Sequence, residues 1–203
     1  MASNADAPVA ALVLAAGKGA RYAAATNGDV KLLATFEGVP LVRRVVETAL
    51  RSRAGDVIVV TGHARDAVMA ALAGLNFRET HNRSYADGQS TSLRAGIAAV
   101  GPDAAGAVVL LADMPCVSEA VIDALITAFR QRPDARAIMP VHQEQRGNPV
   151  LLSRKLFPAI ETLTGDEGAR RLLKDADDVV AVPVDDDRIT LDVDTPDALA
   201  RLR

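Results

Sequence analysis

The chain has 203 residues with a formal net charge of −3, and 49% of its residues are hydrophobic although only 3% are aromatic. This length suits one α/β domain with a core of small aliphatic side chains, and the lack of a Lys/Arg block argues against nucleic acid or an anionic membrane as partners. The single cysteine, Cys116, excludes an internal disulfide and favours a reducing, cytoplasmic location.

The N-terminal segment predicts a disordered tail, residues 1–7, in front of a first strand at residues 9–15. The apolar run that starts at Val9 could be mistaken for an export signal. It follows Asp6 rather than a basic residue, however, and it is too short to cross a bilayer. We therefore expect residues 1–203 to form a single cytoplasmic domain.

Short apolar runs alternate with helical patterns along the chain. Buried strands are predicted at residues 9–15, 56–62, 106–113, 135–141 and 178–184. Helices are predicted at residues 40–52, 64–74, 90–101 and 118–131, with Ser90 and Ser118 as the N-caps of the last two. This alternation predicts an α/β fold in which a mostly parallel central sheet carries helices on both faces.

The alternation is less regular beyond about residue 141. A further strand is predicted within residues 146–154, after a Gly-Asn-Pro entry, and a short helix within residues 165–175. A last helix is predicted at residues 195–202. These elements are typical of a C-terminal elaboration of the same domain.

The first strand leads into a glycine loop, Gly17-Lys18-Gly19, which is followed by Arg21 and Lys31. The spacing does not fit a P-loop, and the dinucleotide-binding pattern G-x-G-x-x-G fails because position 22 is Tyr. A third interpretation is a nucleotidyltransferase loop, in which backbone N–H groups of residues 16–21 wrap a triphosphate and the two basic side chains add positive charge. A tight strand exit with two solvated basic side chains remains the alternative.

Three aspartates indicate a metal site. Asp113 ends a predicted strand at the carboxyl edge of the sheet, where open α/β folds place ligands. Asp192 and Asp194 are two residues apart on an extended segment, so their side chains point to one face. Three such carboxylates would form a hard oxygen site suited to Mg²⁺. Alternatively, Asp113 is a turn residue before Pro115 and Asp194 is the N-cap of the last helix.

The order of these motifs resembles that of the MobA-like nucleotidyltransferases, and most closely that of the molybdenum cofactor cytidylyltransferase group. The matching stretches lie at residues 14–21, 31–47, 59–63, 82–97, 110–117, 146–152, 163–173 and 191–199. The segments YADGQSTSLRAGI, RGNPVLL and TGDEGAR are the most specific of them. The resemblance implies a Rossmann-like three-layer sandwich and Mg²⁺-dependent transfer of CMP from CTP to a phosphorylated pterin, molybdopterin, with release of pyrophosphate.

The resemblance also implies a role for particular residues. Those expected to bind the nucleotide are Leu14, Ala15, Ala16, Gly17, Gly19, Arg21, Lys31, Gly88, Ser90, Thr91 and Ser92. Catalysis is expected from Lys31, Arg21 and Asp113, and Mg²⁺ binding from Asp113, Asp192 and Asp194. The acceptor substrate is expected to contact Arg146, Gly147 and Asn148. A molybdoenzyme or its chaperone is an implied protein partner.

Two departures from the family pattern bear on these expectations. Tyr22-Ala23 replaces Met-Gly, and residues 23–29 form an insertion before Lys31, which is expected to interrupt the helix after the loop and to lengthen the flap over the triphosphate. Ala16 stands where guanylyl-transferring relatives have Gly, so a pyrimidine is expected in the base pocket.

Three alternative functions stay open. The first is nucleotidyl transfer to another phosphorylated metabolite. The second is a non-catalytic accessory protein that binds a nucleotide or pterin and delivers cofactor to a molybdoenzyme. The third, suggested by Gly17-x-Gly19, is a dinucleotide-binding oxidoreductase.

Overall fold

The computed structural model describes residues 7–173 and 178–202. Most of the tail predicted at residues 1–7, and the last two residues of the helix predicted at 165–175, lie outside the described residues. Ala7, which is described, is half-buried and packs against the core instead of belonging to a free tail.

In these two ranges ten strands follow one another: β1 Val9–Ala15, β2 Thr35–Phe36, β3 Val39–Pro40, β4 Val57–Thr61, β5 Arg78–His81, β6 Gly106–Leu111, β7 Ala137–His142, β8 Gln145–Arg146, β9 Val150–Ser153 and β10 Val179–Pro183. The central sheet has the order β10-β7-β9-β6-β1-β4-β5, and β8 pairs with β7. Strands β2 and β3 form a separate hairpin. The five strands predicted as buried are confirmed within two residues at each end, and β9 forms within the segment predicted at 146–154. The short strands β2, β3, β5 and β8 were not predicted.

The main strands run parallel, except that β9 is antiparallel to both β6 and β7. The chain leaves β1 for β4 on one side, and it later returns to place β6 on the other side of β1. Parallel α/β sheets bind ligands at such a reversal of strand order, outside the carboxyl ends of the strands. The fold therefore places the glycine loop after β1 beside the residues that follow β6.

The helices are α1 Ala20–Ala25, α2 Leu41–Arg51, α3 Arg65–Ala71, α4 Gln89–Ala99, α5 Glu119–Gln131, α6 Phe157–Ile160, α7 Arg170–Leu173 and α8 Pro196–Arg201. The hydroxyl of Ser118 accepts a hydrogen bond from the Val121 N–H at 3.4 Å, which confirms the predicted N-cap of α5. The N-cap predicted at Ser90 is wrong, because α4 begins at Gln89 after Gly88 and Ser90 is buried in its first turn. The expected interruption after the glycine loop is confirmed in part: α1 forms across Arg21 but ends at Ala25, within the insertion.

Two apolar cores cover the two faces of the sheet. Val9, Ala11 and Val13 of β1 pack into one core with α2, α3 and α5, whereas Ala10 and Leu12 pack into the other with α4 and α6. Alternate residues of a strand point to opposite faces, so a strand buried on both sides is apolar throughout. The predicted α/β architecture, with three layers and helices on both faces, is confirmed.

A third apolar cluster lies at the carboxyl end of the sheet. It joins side chains from α1, the β2–β3 hairpin, α2, the segment before α8 and α8 itself: Tyr22, Phe36, Leu41, Val193 and Leu199, respectively. The cluster fixes the segment before α8 against the segment after the glycine loop. Within residues 7–173 and 178–202, no helix has the length and apolar character needed to cross a membrane.

Candidate active site

The glycine loop brings Lys31 back to the end of β1. Gly19 has a φ of +57°, and a Cβ built on it would lie 2.8 Å from Cβ of Lys31. Glycine is required there because a side chain is disfavoured at this φ and would also collide with Lys31. Gly17 faces open space. The inserted residues complete α1 and the turn after it, so they do not displace Lys31 from the site.

Lys31, Arg21, Asp113 and Asp194 form one cluster of ion pairs. Nζ of Lys31 lies 2.6 Å from Oδ2 of Asp113 and 3.1 Å from Oδ1 of Asp194. The Arg21 guanidinium lies 2.7 Å from Oδ2 of Asp194. The Lys31 side chain is only 11% exposed, whereas that of Arg21 is 78% exposed. Lys31 is thus a fixed charge of the site, and Arg21 is a solvated charge at its edge.

The segment before α8 completes the acidic cluster. One carboxylate oxygen from each of Asp113, Asp192 and Asp194 lies within 4.8 Å of the others. The N–H of Val193 donates to the carbonyl of Asp113 at 2.9 Å, and the Val193 side chain is fully buried. Because neighbouring side chains of an extended segment alternate, both aspartates turn away from the core and toward Asp113. Carboxylate oxygens are the ligands that hard divalent cations prefer, so this donor set fits such an ion.

The cluster perturbs two pKa values. Burial lowers the pKa of Lys31, but the charges and hydrogen bonds of Asp113 and Asp194 raise it more, so its net pKa lies above the ordinary value. Burial, together with repulsion from Asp194 and Asp113, raises the pKa of Asp192. Lys31 and Arg21 offset part of the negative charge at Asp113 and Asp194, and a bound cation would offset the repulsion that remains at Asp192.

A cavity of about 550 Å³, here called the nucleotide-side cavity, lies between the glycine loop and α4. Residues from the predicted site that line it are Leu14, Ala16, Gly17, Gly19, Arg21, Lys31, Gly88, Ser92, Asp113 and Asp194. Ala16 is only 1% exposed. The side chains of Ala15, Ser90 and Thr91 do not line this cavity: Ala15 is in the core, Ser90 is fully buried, and Thr91 hydrogen-bonds to the carbonyls of Ser84 and Gly88.

A second cavity of about 690 Å³, here called the acceptor-side cavity, adjoins the first. It is lined by Arg146, Gly147, Asn148 and Asp192, among others. Both cavities share Leu14, Arg21, Gln89, Leu111 and Asp166. The N–H of Asn148 donates to the carbonyl of Ile189 at 2.8 Å, which ties the predicted acceptor segment to the segment that carries Asp192. The acidic cluster therefore has members in the walls of two adjoining cavities.

Several residues in these walls were not singled out from the sequence. Gln89 and Asp166 line both cavities, and Tyr85 and Lys18 line the nucleotide-side cavity. A Cβ on Gly88 would collide with the carbonyl group of Gly165, which explains the glycine at this position. The matching stretches at 82–97 and 163–173 contained Tyr85, Gln89 and Asp166, but the close approach of the two loops was not visible in the sequence.

Comparison with known proteins adds three findings. A family model described as "MobA-like NTP transferase domain" matches residues 11–180. The chain is 30% identical to nicotine blue oxidoreductase of Paenarthrobacter nicotinovorans, covering 96% of each chain. It is 29% identical to molybdenum cofactor cytidylyltransferase of Escherichia coli K12, covering 92% of this chain and 91% of the relative.

A solved structure, that of Rv0371c from Mycobacterium tuberculosis H37Rv, has a similar fold throughout. Its TM-score to this chain is 0.84, with 27% sequence identity and 97% of each chain covered. The same protein has also been solved as a complex with manganese, and that structure has a TM-score of 0.78 to this chain.

Proposed function

The chain belongs to the MobA-like NTP transferase family and is a nucleotidyltransferase, and we propose that it transfers CMP from CTP to the phosphate of a phosphorylated pterin, releasing pyrophosphate. The observation that carries this proposal is the meeting of two cavities at one cluster of Lys31 and three aspartates. One cavity would hold the nucleotide and the other the acceptor. The similarity to a molybdenum cofactor cytidylyltransferase over 92% of the chain supports the choice of reaction.

The reaction needs little covalent chemistry from the protein. A phosphate oxygen of the acceptor attacks the α-phosphorus of CTP, a new P–O bond forms, and the bond to the β-phosphate breaks as pyrophosphate leaves. Such a step is accelerated mainly by alignment of the reactants and by neutralisation of their charge. Backbone N–H groups of the glycine loop, with Gly17 and Gly19, would bind the phosphates. Lys31 would neutralise the reacting α-phosphate, and Arg21 would neutralise the outer phosphates.

Asp113, Asp192 and Asp194 would hold Mg²⁺. Their three convergent oxygens support this assignment, as does the manganese complex of a protein with the same fold. Bound Mg²⁺ would supply positive charge to the phosphates and would offset the mutual repulsion of the three carboxylates.

The choice of CTP is supported by the loop sequence Leu14-Ala15-Ala16-Gly17. Ala16 lies in the wall of the nucleotide-side cavity, and a methyl group at this position would leave less room for a larger purine than Gly would. One methyl group accounts for about 10- to 200-fold discrimination at most, so other residues of the wall must contribute. The acceptor would lie against Arg146, Gly147 and Asn148. Another phosphorylated acceptor, or a non-catalytic role as a cofactor carrier for a molybdoenzyme, is the alternative within this family.

A second candidate is an oxidoreductase, since the relative at 30% identity bears that name. The site offers less support for hydride transfer. Position 22, where the dinucleotide pattern has Gly, is occupied by the buried Tyr22, and α1 after the loop has only six residues. A cluster of three carboxylates and a lysine also has no evident task in hydride transfer.

We further propose that residues 1–203 act as one catalytic domain and that the protein works in the cytoplasm, where its single cysteine suits a reducing environment. A molybdoenzyme or its chaperone would receive the product.

The proposal is tested by offering CTP, GTP, ATP and UTP, each with a phosphorylated pterin and Mg²⁺, and by following pyrophosphate release. CTP with the pterin is expected to give the fastest release. If pyrophosphate is released only with a different phosphorylated acceptor, the protein belongs to another branch of the family. Oxidation of NADH or NADPH without pyrophosphate release would favour the oxidoreductase.

A further inference from the structure

Asn82 is a buried polar residue behind the wall of the nucleotide-side cavity. It follows β5, it is 5% exposed, and its backbone N–H donates to the carbonyl of Thr61 at 2.8 Å. It does not line the cavity. A buried amide of this kind is retained only where its hydrogen bonds are satisfied, so its partners indicate its task.

The partners fix the orientation of the Asn82 amide. Its Oδ1 accepts from the backbone N–H of Ser84 at 3.0 Å. A backbone N–H can only donate, so the oxygen must face Ser84 and the NH₂ group must face the other way. That NH₂ group donates to Oγ1 of Thr91 at 2.8 Å and to Oγ of Ser92 at 3.0 Å. Both amide hydrogens are therefore used on the first turns of α4.

The hydroxyl groups of Thr91 and Ser92 both accept from Asn82, but they differ in what their own protons can reach. The Thr91 hydroxyl donates its hydrogen bond to the carbonyl of Ser84 at 2.9 Å or to that of Gly88 at 2.8 Å. Ser92 accepts from Asn82 and lines the nucleotide-side cavity. In the part of the chain that the structure describes, Ser92 has no acceptor for its proton. Because Ser92 belongs to the cavity wall, its hydroxyl proton is available to an acceptor bound there.

We propose that Asn82 is a positioning residue for nucleobase binding: by donating to Ser92, it leaves the Ser92 hydroxyl as a donor for an acceptor atom on the base. This inference rests on the proposed binding of a nucleotide in this cavity. The residues proposed to neutralise the phosphates, Arg21 and Lys31, lie in the ion-pair cluster with Asp113 and Asp194, which does not include Ser92. Cytosine presents a carbonyl oxygen and an unprotonated ring nitrogen as acceptors, so a fixed donor suits its edge.

The variant Asn82→Asp reverses the hydrogen bonds while keeping the size of the side chain. An aspartate can still accept from the N–H of Ser84, but it cannot donate to Thr91 or Ser92. Ser92 would then donate to the aspartate and present only lone pairs to the cavity. Ser92→Ala removes the same donor directly. If Asn82 acts through Ser92, the double variant that carries both changes must bind CTP about as tightly as Ser92→Ala alone.

The test measures the affinity of the wild-type protein and of these three variants for CTP and for inorganic triphosphate, by calorimetry in the presence of Mg²⁺. Each variant is expected to bind CTP about 3- to 10-fold more weakly, as befits one hydrogen bond. Inorganic triphosphate, which has no base, is expected to bind all four proteins alike. In turnover assays KM for CTP should rise while kcat stays nearly constant. Thermal unfolding shows whether each variant is folded.

Three results would each overturn the inference. The losses of CTP affinity in the two single variants could multiply in the double variant. The affinity for inorganic triphosphate could fall as much as that for CTP, or folded Asn82→Asp could bind CTP as tightly as the wild-type protein. If Asn82→Asp does not fold, Ser92→Ala decides: unchanged CTP affinity overturns the inference, and a loss confined to CTP supports it. Failure of the proposed function has a different signature. Wild-type protein that binds CTP but releases no pyrophosphate with any acceptor would contradict that function, while the affinities would still decide the role of Asn82.

Discussion

The Lys31 ammonium lies 2.6 Å from Oδ2 of Asp113, one of the three carboxylates that would hold a divalent cation. The same lysine also reaches Asp194, at 3.1 Å. Lys31 and a metal ion would therefore neutralise the same carboxylates. Binding of a metal ion would require the lysine to give up part of these contacts. The charge of Lys31 would then be available to a phosphate.

Removal of Lys31 should strengthen metal binding in the absence of nucleotide. In Lys31→Met the carboxylates lose a competing positive charge, and we expect Mn²⁺ to bind about 10-fold more tightly, a modest part of the Coulomb energy at this distance. Calorimetric titration with Mn²⁺ measures the change. Lys155→Met is the matched control, because Lys155 pairs with Asp134 away from both cavities. Unchanged or weaker Mn²⁺ binding in Lys31→Met would contradict the competition.

The same variant should lose most of its turnover. Loss of a charged contact to the phosphate in the transition state typically costs about 10²- to 10³-fold in rate. The free energy of unfolding should change much less, since Asp113 and Asp194 are partly exposed to water and Arg21 still pairs with Asp194. Steady-state kinetics and denaturant unfolding of Lys31→Met separate the two effects. Near-native turnover would show that Lys31 has no role at the α-phosphate.

The three aspartates should share one divalent ion. Asp113→Asn and Asp194→Asn should each raise the Mg²⁺ concentration that gives half-maximal activity by about 10-fold or more, because loss of even an outer partner of a metal ligand costs that much. Titration of activity with Mg²⁺ checks this, and the exposed Asp103, in the loop before β6, provides the control Asp103→Asn. An unaltered Mg²⁺ requirement in both site variants would rule out the shared ion.

Gly88 should tolerate no side chain. It has a φ of +109°, and a Cβ there would collide with Gly165 in the loop that carries Asp166. We expect Gly88→Ala to lower the free energy of unfolding by about 1–3 kcal/mol and to raise KM for the nucleotide. Gly101→Ala is the control, since a Cβ at Gly101 meets nothing within 4 Å. Equal stability of the two variants in denaturant unfolding would contradict the close packing of the loops.

Sequence patterns were sufficient to predict those structural features that depend on a few neighbouring residues. The apolar run of β1, the N-cap at Ser118 and the spacing of Asp192 and Asp194 are such features. They failed where distant segments meet: α4 begins before Ser90 because Gly88 packs on Gly165, and β5 forms because β4 supplies its hydrogen bonds. The contact between Lys31 and Asp113 likewise joins residues 82 positions apart in sequence.

Whether the α-phosphate of a nucleotide becomes joined to the acceptor is the most direct test of the central claim. CTP labelled with ³²P at the α-phosphate is incubated with the protein, Mg²⁺ and a phosphorylated pterin, and the labelled products are separated and identified. The account predicts that the label appears in a cytidine–pterin dinucleotide in amounts equal to the pyrophosphate released, and that Lys31→Met forms about 10²- to 10³-fold less of it. Label that stays in CTP or appears only as free CMP, or faster transfer from GTP labelled in the same way, would contradict the account.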